Sequence, residues 1–270
     1  THDMRIALAQ MTSTDDREAN LRKVKDFALT AANQNAQLLA LPENFSYLRR
    51  EGEPYPFKES LDGELMDFLR SLALKHKLYI LAGSFPEQIE NSDKTYNTSV
   101  MLSSEGETLA VYRKIHLFDV ELDEKNSFQE SSLVEAGSRS VTVNTPWGCF
   151  GMAICYDLRF PELFRTLTER GATLIFIPSA FVDKTGAKHW EVLLRARAIE
   201  NQVYIAAPDQ FGRHSPTRIS YGDSMLVDPW GAVIARAKDR EELITCDIDF
   251  SYLDEVRKKL PALKHKKSYS

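Results

Sequence analysis

Apolar residues recur along the chain at two spacings, and these spacings predict alternating strands and helices. Short, mostly apolar runs predict buried strands at 5–10, 38–41, 78–82, 173–177 and 203–207. Apolar residues three or four positions apart, such as Leu61, Leu65 and Leu72, predict amphipathic helices. The same spacing predicts helices around 21–31, 161–170 and 189–200. Alternation of this kind is typical of an α/β fold.

Two further pairs of apolar runs are separated by turn residues and therefore predict β-hairpins. Residues 99–102 and 109–112 flank a polar turn at 104–107, and residues 225–227 and 233–236 flank a Pro-Trp-Gly turn at 229–231. The sequence has no internal repeat, low-complexity segment or linker-like stretch. Its 270 residues are enough to bury one large core, so we expect a single domain over 1–270.

Cys155 ends one of the apolar runs at the point where a helical segment is predicted to begin. Residues 148–154 have the pattern of a buried strand, and Pro161 opens the next helix. Backbone N–H groups and the positive end of a helix dipole favour a thiolate at such a junction. A lone cysteine after an apolar run is, however, commonly a buried structural residue. The junction alone therefore leaves both interpretations open.

Two other predicted strands also end in residues that can take part in chemistry. An apolar run over 37–41 is broken by Pro42 and followed by Glu43, and the strand at 108–113 is followed by Lys114. Strand ends that carry such residues meet in one crevice when they lie along the carboxyl edge of a sheet. Taken singly, Glu43 is typical of a solvated loop acid and Lys114 of a surface charge. Together with Cys155 they predict a shared site.

The segments around Glu43, Lys114 and Cys155 resemble the Glu, Lys and Cys motifs of the nitrilase superfamily of carbon–nitrogen hydrolases. The similarity extends from about Met4 to the basic tail near Lys266 and includes flanking residues of each motif. Further segments resemble the branch that holds ω-amidases and deaminated glutathione amidases, namely 112–119, 128–130, 189–191 with 195–198, and 228–231.

The resemblance implies an α-β-β-α sandwich, in which two packed β-sheets are flanked by helices, and at least a homodimer formed through helices. It also implies a single carbon–nitrogen hydrolase domain, a small-molecule amide as substrate and no cofactor. Glu130 would be a second carboxylate that holds Lys114 and the leaving group in place. The alternative interpretation of Glu130 is a loop or helix-cap acid, and we favour the functional one.

The three residue types match what amide hydrolysis requires, which is a strong nucleophile, a stabiliser of the oxyanion and a proton donor for the departing nitrogen. Cys155 would attack the carbonyl carbon and form a thioester. Glu43, with a pKa raised by partial burial, would move protons between thiol, amine and water. Lys114, together with the backbone N–H of Tyr156, would stabilise the oxyanion. Its charge would also lower the pKa of the thiol below the free value of about 8.5.

Three other observations bear on competing functions. His116 follows Lys114 by two positions and raises the alternative of a Cys–His peptidase, although we expect it to pack or hydrogen-bond beneath Lys114. Cys149 and Cys246 lie in apolar strand patterns and are expected in the core, and no His or Cys spacing typical of a metal site is present. A further alternative is a binding or scaffold protein that has the same fold but no catalytic activity. The presence of Glu43, Lys114 and Cys155 together argues against it.

Composition and charge limit the kinds of binding partner and the cellular compartment that we expect for this protein. A net charge of −5 gives no reason to expect nucleic acid or an anionic membrane as a partner, and no apolar run is long enough to cross a bilayer. The apolar run at 4–9 is too short for the hydrophobic region of a signal peptide. Three cysteines argue against a disulfide framework. We therefore expect a cytoplasmic enzyme, or a mitochondrial form in a eukaryote.

The substrate is expected to carry a carboxylate at a distance from the scissile amide. Arg159, four residues after Cys155, is placed to bind that carboxylate, and pairing with Asp157 or Glu162 is an equal alternative. Tyr47 and Phe181 are the expected aromatic walls of the pocket. Both positions are otherwise typical of core aromatics.

Residues 212–214 and 220–222 resemble the deaminated glutathione amidase subgroup. This resemblance favours deaminated glutathione as the substrate, hydrolysed to 2-oxoglutarate and cysteinylglycine, with Arg213 binding the second carboxylate. The alternative is an ω-amidase acting on 2-oxoglutaramate or succinamate. Asp223 stands where both patterns usually have histidine, so these motifs leave the two substrates open.

Overall fold

Strands and helices alternate along residues 3–270, the part of the chain that the computed structural model describes. The strands are β1 (Asp3–Gln10), β2 (Leu38–Ala40), β3 (Tyr79–Gln88), β4 (Thr95–Leu102), β5 (Thr108–Arg113), β6 (Asp119–Asp123), β7 (Asn126–Gln129), β8 (Val134–Glu135), β9 (Thr142–Thr145), β10 (Gly148–Met152), β11 (Leu174–Phe176), β12 (Tyr204–Ala207), β13 (Phe211–Ser215), β14 (Arg218–Tyr221), β15 (Met225–Val227), β16 (Val233–Arg236) and β17 (Glu242–Asp249). The α-helices are α1 (Arg17–Asn33), α2 (Glu64–His76), α3 (Pro161–Glu169), α4 (Asp183–Asn201), α5 (Phe250–Lys259) and α6 (Ala262–His265), with 3₁₀ turns at Glu130–Ser132 and Cys155–Arg159.

These strands form two large sheets and two separate hairpins. The first sheet has the order β17-β1-β2-β3-β4-β5, with β8 beside β4, and the second has the order β16-β15-β12-β11-β10-β9. Neighbours are parallel from β1 to β3 and from β10 to β12. The hairpins are β6–β7 and β13–β14. The carboxyl ends of each parallel set therefore lie along one edge of its sheet.

The first sheet is buried on both faces. Because successive residues of a strand point to opposite faces, Ile6 and Leu8 of β1 join an apolar cluster that includes Phe150 of the second sheet. Ala7, between them, joins a different cluster that includes Val24 of α1. The two sheets consequently pack face to face, and helices cover the outer face of the first sheet.

The second sheet is covered by α3 and α4. Leu163 of α3 and the fully buried Trp190 and Leu194 of α4 belong to the cluster that contains the second-sheet strands. The order of layers is thus helix, sheet, sheet, helix. This confirms the expected α-β-β-α sandwich.

Most predicted elements are present with shifted bounds. Both predicted hairpins form, with β4 antiparallel to β5 and β15 antiparallel to β16. Helix α4 begins at Asp183, well before the predicted start at 189. Its first turns were not predicted because they are polar and contain Gly186. A Cβ on Gly186 would lie 2.3 Å from the ring of Tyr221, so the glycine is there for close packing. Strand β6 was not predicted. Its sequence alternates between polar and apolar residues, but the alternation includes only Val120 and Leu122, and most of its side chains are exposed.

Candidate active site

Glu43 lies just beyond the end of β2, in a turn that packs directly on β3. Gly83 of β3 makes this possible, because a Cβ there would lie 2.0 Å from the carbonyl oxygen of Leu41 and 2.1 Å from that of Pro42. Only glycine permits so close a backbone approach. The turn buries Glu43, which is 4% exposed.

Lys114 follows the last residue of β5 and is fixed by backbone hydrogen bonds on both sides. Its N–H donates to the carbonyl of Asn97 (2.9 Å), and its carbonyl accepts the N–H of Gly137 (2.9 Å). A Cβ on Gly137 would lie 2.1 Å from the carbonyl oxygen of Arg113, so a glycine is again needed at the strand end. Lys114 is 1% exposed.

Cys155 begins the 3₁₀ turn that connects β10 to α3. Its φ is +44°, in the left-handed region that non-glycine residues rarely adopt. Its N–H donates to the carbonyl of Pro178 just beyond β11 (3.0 Å), which holds this strained backbone in place. Strain of this kind is often retained at functional sites.

Lys114 is paired with two carboxylates. Its Nζ lies 3.1 Å from Glu43 Oε2 and 2.8 Å from Glu130 Oε1. The Nδ2 of Asn97 donates to the same Glu43 oxygen (2.9 Å) and to Glu130 Oε2 (3.0 Å). Glu130 Oε1 also accepts the N–H of Phe118 (2.8 Å). The structure therefore brings Glu43, Lys114 and Glu130 into one buried network.

Asn97 was missed by the sequence analysis. In the sequence it begins an Asn-Thr-Ser stretch of the kind that is glycosylated in secreted proteins. In the structure it is 6% exposed on β4, and its amide bridges the two carboxylates. The available signal was a polar residue among the buried positions of a strand, since buried polar side chains need hydrogen-bond partners.

Glu43 and Lys114 stabilise one another as ions. Burial acts to raise the pKa of Glu43, but the charge and the hydrogen bond of Lys114 outweigh burial, so this pKa lies below its usual value. Burial likewise acts to lower the pKa of Lys114, but the charges of Glu130 and Glu43 raise it well above its usual range. The expectation of a raised pKa for Glu43 was wrong, because the ammonium group lies within hydrogen-bond distance.

The resting form of Cys155 is the thiol. Burial and the negative charge of Glu43 raise its pKa well above the usual value, and the charge of Lys114 compensates only in part. The expectation of a lowered thiol pKa was therefore wrong for the resting site. An ionised Glu43 beside a neutral thiol is, however, the arrangement that a general base requires.

Asp157 ties the Cys155 turn to the strand end that carries Lys114. This fully buried carboxylate accepts the Tyr112 hydroxyl (2.6 Å) and the N–H of Ile154 (2.9 Å) on Oδ2. Its Oδ1 accepts the backbone N–H of His116 (3.1 Å) and contacts His116 Nδ1 (2.8 Å). The imidazole also stacks on Phe160, with ring centroids 3.7 Å apart. The expectation that His116 packs and hydrogen-bonds near Lys114 is confirmed.

A cavity opens beside this network. Seven of the residues singled out from the sequence line it, namely Glu43, Lys114, Glu130, Cys155, Tyr156, Arg159 and Phe181. Leu48, Tyr55, Phe118 and Phe128 add apolar and aromatic surface. A concave cavity that combines aromatic surface with convergent charged groups is typical of a small-molecule site.

Tyr47 and Arg213 lie outside the lining of this cavity. Tyr47 is buried against Phe57, with ring centroids 4.9 Å apart, and the neighbouring Tyr55 lines the cavity in its place. Arg213 is exposed on β13 and donates to the carbonyl of Pro216 (2.9 Å). Because side chains alternate across a strand, His214 points inward and Arg213 points to solvent. The expectation that these two residues shape the pocket is corrected.

Three arginines line the cavity, and only one of them was expected. Arg159 lies 5.3 Å from the ring of Phe181 and contacts His189 Nδ1 at 3.1 Å, so it does not pair with Asp157 or Glu162. Arg218 and Arg49 also line the cavity. Neither was predicted, because nothing in the residue types around Arg218 and Arg49 distinguishes them from surface arginines.

Arg218 is held by contacts on three sides. Its Nη2 donates to the carbonyl of Ala180 (2.8 Å), and its guanidinium lies 5.0 Å from the ring of Phe128. Its Nη1 is 3.6 Å from Glu51 Oε1, and its side chain is 12% exposed. An arginine held in this way is well placed to bind a carboxylate.

Cys149 and Cys246 are free thiols of intermediate burial, at the margin of the core rather than inside it as expected. Within residues 3–270, no group of three or more His, Cys, Asp or Glu side chains could hold a metal ion. Over the same residues, no helix is long and apolar enough to span a membrane.

Comparison with known proteins agrees with the geometry. The family model described as carbon–nitrogen hydrolase matches residues 5–258. The chain belongs to this family. A relative from Synechocystis named deaminated glutathione amidase is 40% identical over 263 residues, which cover 96% of this chain and 97% of that protein. This carbon–nitrogen hydrolase therefore acts on carbon–nitrogen bonds other than peptide bonds.

Solved structures of family members superpose closely on this carbon–nitrogen hydrolase. The Caenorhabditis elegans NitFhit protein is 40% identical with a TM-score of 0.90, covering 99% of this chain and 66% of that chain. The chain thus spans only part of that fusion protein. Nit3 of Saccharomyces cerevisiae, a member of branch 10 of the nitrilase superfamily, is 33% identical with a TM-score of 0.88, covering 96% and 94% of the two chains. The resemblance to the nitrilase superfamily is confirmed.

Proposed function

We propose that this chain is a cysteine-dependent amidase that hydrolyses a small amide through a thioester on Cys155. The observation that carries the proposal is the pairing of Lys114 with both Glu43 and Glu130 in the cavity that Cys155 also lines. This arrangement supplies a base, a cation and a nucleophile within one buried space.

Thioester formation follows from the charges in this network. The ionised Glu43 takes the proton of the Cys155 thiol as sulfur attacks the carbonyl carbon of the amide. The Lys114 ammonium and the backbone N–H of Tyr156 stabilise the oxyanion, and one such donor typically contributes about 2.7–4 kcal/mol. Glu130 holds Lys114 in place through their 2.8 Å contact.

The same groups then complete the reaction. Glu43, now protonated, donates its proton to the leaving nitrogen as the carbon–nitrogen bond breaks, which leaves the thioester and a free amine. The regenerated carboxylate accepts a proton from a water molecule that attacks the thioester. Collapse of the second tetrahedral intermediate releases the carboxylic acid product and returns the thiol. Hydrolysis consumes one water, and no redox step is needed.

For the substrate, we propose deaminated glutathione, cleaved to 2-oxoglutarate and cysteinylglycine. Relatives with the name deaminated glutathione amidase support this choice. The substrate carries a carboxylate at each end, and the cavity offers Arg159, Arg218 and Arg49 to receive them.

An ω-amidase acting on 2-oxoglutaramate or succinamate is the second candidate. The contact of Arg218 with Glu51 favours it, since a cation that already has an acidic neighbour is less available to a substrate carboxylate. In that case Arg159 would be the main cation for the single carboxylate of the smaller amide.

The ratio of kcat/KM for deaminated glutathione and for 2-oxoglutaramate, measured in one preparation, tests the choice because it reports differential transition-state binding. We expect deaminated glutathione to be preferred. A tenfold or greater preference for the smaller amide would overturn the assignment. No turnover of either compound or of other small amides by the folded protein would favour the binding-scaffold alternative.

The proposal extends to assembly and compartment. We propose a single domain over 1–270 that forms at least a homodimer in the cytoplasm, or in mitochondria if the source is eukaryotic. Val192 and Ile199 of α4 are 66% and 50% exposed, and the nearby Trp230 is 59% exposed. Burial of such side chains is a common reason for subunit association. We expect Val192→Glu to lower the mass in light scattering to that of one chain, and an unchanged mass would remove α4 from the interface.

A further inference from the structure

Asp209 is a fully buried carboxyl group for which the reaction above has no use. It follows β12, the third parallel strand of the second sheet, and is 0% exposed. Its Oδ1 accepts the N–H of Phe181 (3.0 Å). Its Oδ2 has no hydrogen-bond partner within residues 3–270. A buried polar atom without a partner is costly and calls for an explanation.

The backbone around Asp209 runs beside the segment that follows β11. Ser179 and Asp209 form a parallel bridge. The N–H of Ser179 donates to the carbonyl of Pro208 (2.9 Å), and the N–H of Gln210 donates to the carbonyl of Ser179 (3.0 Å). The Asp209 side chain continues this pairing by one further hydrogen bond, to Phe181. It therefore holds the N–H of Phe181, whose carbonyl accepts the N–H of Tyr221 (2.8 Å).

This segment in turn holds Glu43. The N–H of Ala180 donates to Glu43 Oε1 (3.0 Å), while Lys114 takes Oε2. The amide of Gln210 donates to the backbone carbonyl of Glu43 (2.9 Å). Asp209 thus binds the N–H of Phe181, the residue directly after Ala180. The N–H of Ala180 orients Oε1 of Glu43, the oxygen that Lys114 does not contact.

We propose that Asp209 is a positioning residue for the proposed amidase reaction: by accepting the Phe181 N–H, it fixes Ala180 and so keeps Glu43 aligned with the Cys155 thiol. The inference rests on the proposed function of Glu43 and Cys155. It adds a residue that the catalytic motifs do not contain.

The proton state of Asp209 determines how it should be tested. Burial and the charge of Glu43 raise its pKa well above the usual value, while the Phe181 N–H and Arg218 act in the opposite direction without compensating. Asp209 also faces the Cys155 thiol, whose pKa a charge on Asp209 would help to raise. A neutral carboxyl carries its proton on one oxygen and accepts with the other. Asparagine has the same shape and the same acceptor, so Asp209→Asn should preserve the role and Asp209→Ala should remove it.

The experiment compares kcat, KM and the pH dependence of iodoacetamide alkylation of Cys155 in wild type, Asp209→Asn and Asp209→Ala. We expect Asp209→Asn to keep kcat within about threefold and to keep the pH profile. We expect Asp209→Ala to lower kcat by roughly tenfold to a hundredfold, since a displacement of about 1 Å at a reacting group can cost that much. KM should change much less, because no contact with substrate is removed.

Two results would overturn the inference. Wild-type kcat in folded Asp209→Ala would show that nothing depends on this hydrogen bond, and an equal loss in Asp209→Asn would show that a negative charge is needed. If Asp209→Ala does not fold, the Asn variant decides, since a shifted pH profile there contradicts a neutral positioning group. Absence of turnover in wild type would refute the proposed function instead. Alkylation rates would then still report on the alignment of Glu43 with Cys155.

Discussion

Replacement of Asp157 by asparagine tests how the nucleophile is held relative to Lys114. Each oxygen of Asp157 accepts from one buried backbone N–H, that of His116 on Oδ1 and that of Ile154 on Oδ2. Asparagine has only one oxygen. Whichever way its amide is turned, the NH₂ group must face one of these two donors.

The cost can be worked out from these contacts. A buried donor left without a partner costs about 1–3 kcal/mol, and hydrogen bonds to a carboxylate are stronger than those to an amide oxygen. We therefore expect Asp157→Asn to lower the free energy of unfolding by about 2–4 kcal/mol. Tyr112→Phe removes one hydroxyl from the same carboxylate and should lower it by about 1.5 kcal/mol. Glu162→Gln, an exposed neighbour of the same charge, should change it by less than about 0.5 kcal/mol.

The assay pairs urea unfolding with steady-state kinetics. Because Asp157 joins the Cys155 turn to the end of β5, we expect kcat of Asp157→Asn to fall by roughly tenfold to a hundredfold, with a smaller change in KM. The reasoning would be refuted by an Asp157→Asn protein with the stability and kcat of wild type. It would also be refuted if Glu162→Gln lost as much as Asp157→Asn.

Three further predictions follow from the site and its surroundings. Since the pKa of Glu43 is lowered in the folded protein, kcat/KM should fall only as the pH drops below the usual glutamate value of about 4.3. Lys114→Met removes the main group that opposes the effect of burial on this pKa, so the acid limb of the pH profile should move to higher pH, and an unmoved limb would contradict the pairing. Arg218→Gln should lower kcat/KM for deaminated glutathione by tenfold or more while affecting an uncharged amide much less, and equal losses on both would exclude carboxylate binding. Burial, with help from Glu191, raises the pKa of Asp223 to about 6 despite Arg236, so the folded protein loses stability as the pH rises through 6 and this carboxyl ionises. Asp223→Asn should therefore raise the free energy of unfolding by about 1–2 kcal/mol at pH 8, after allowance for solvent screening, and by almost nothing at pH 4. An equal gain at both pH values would refute this prediction.

The sequence predicted the elements whose apolar residues face a core. The strands that carry Glu43 and Cys155 are buried, so their apolar runs are continuous, and the residues at their ends could be placed at one sheet edge. The hairpin β13–β14 shows what could not be predicted. Which of its side chains point inward depends on how the two strands are aligned, and His214 is buried whereas the adjacent Arg213 is exposed.

Electrostatics could be predicted only in part. The presence of a cation near the nucleophile was foreseen, but the direction of the pKa shifts of Glu43 and Cys155 was not. Those directions depend on burial and on a 3.1 Å contact between Lys114 and Glu43. Neither quantity can be read from residue types. Asn97 and Asp209 were missed for a related reason, since the hydrogen-bond partners of each side chain lie far away in the sequence.

Trapping of the acyl-enzyme tests the proposed chemistry most directly. Acid quenching during turnover of deaminated glutathione, followed by intact-mass and peptide mass spectrometry, should reveal one 2-oxoglutaryl group on Cys155. The Cys155→Ala variant, folded to the same extent by circular dichroism, should carry no adduct and release no cysteinylglycine, whereas Cys149→Ala should behave as wild type. Undiminished turnover by Cys155→Ala, or an adduct on another residue, would contradict a thioester mechanism at this site.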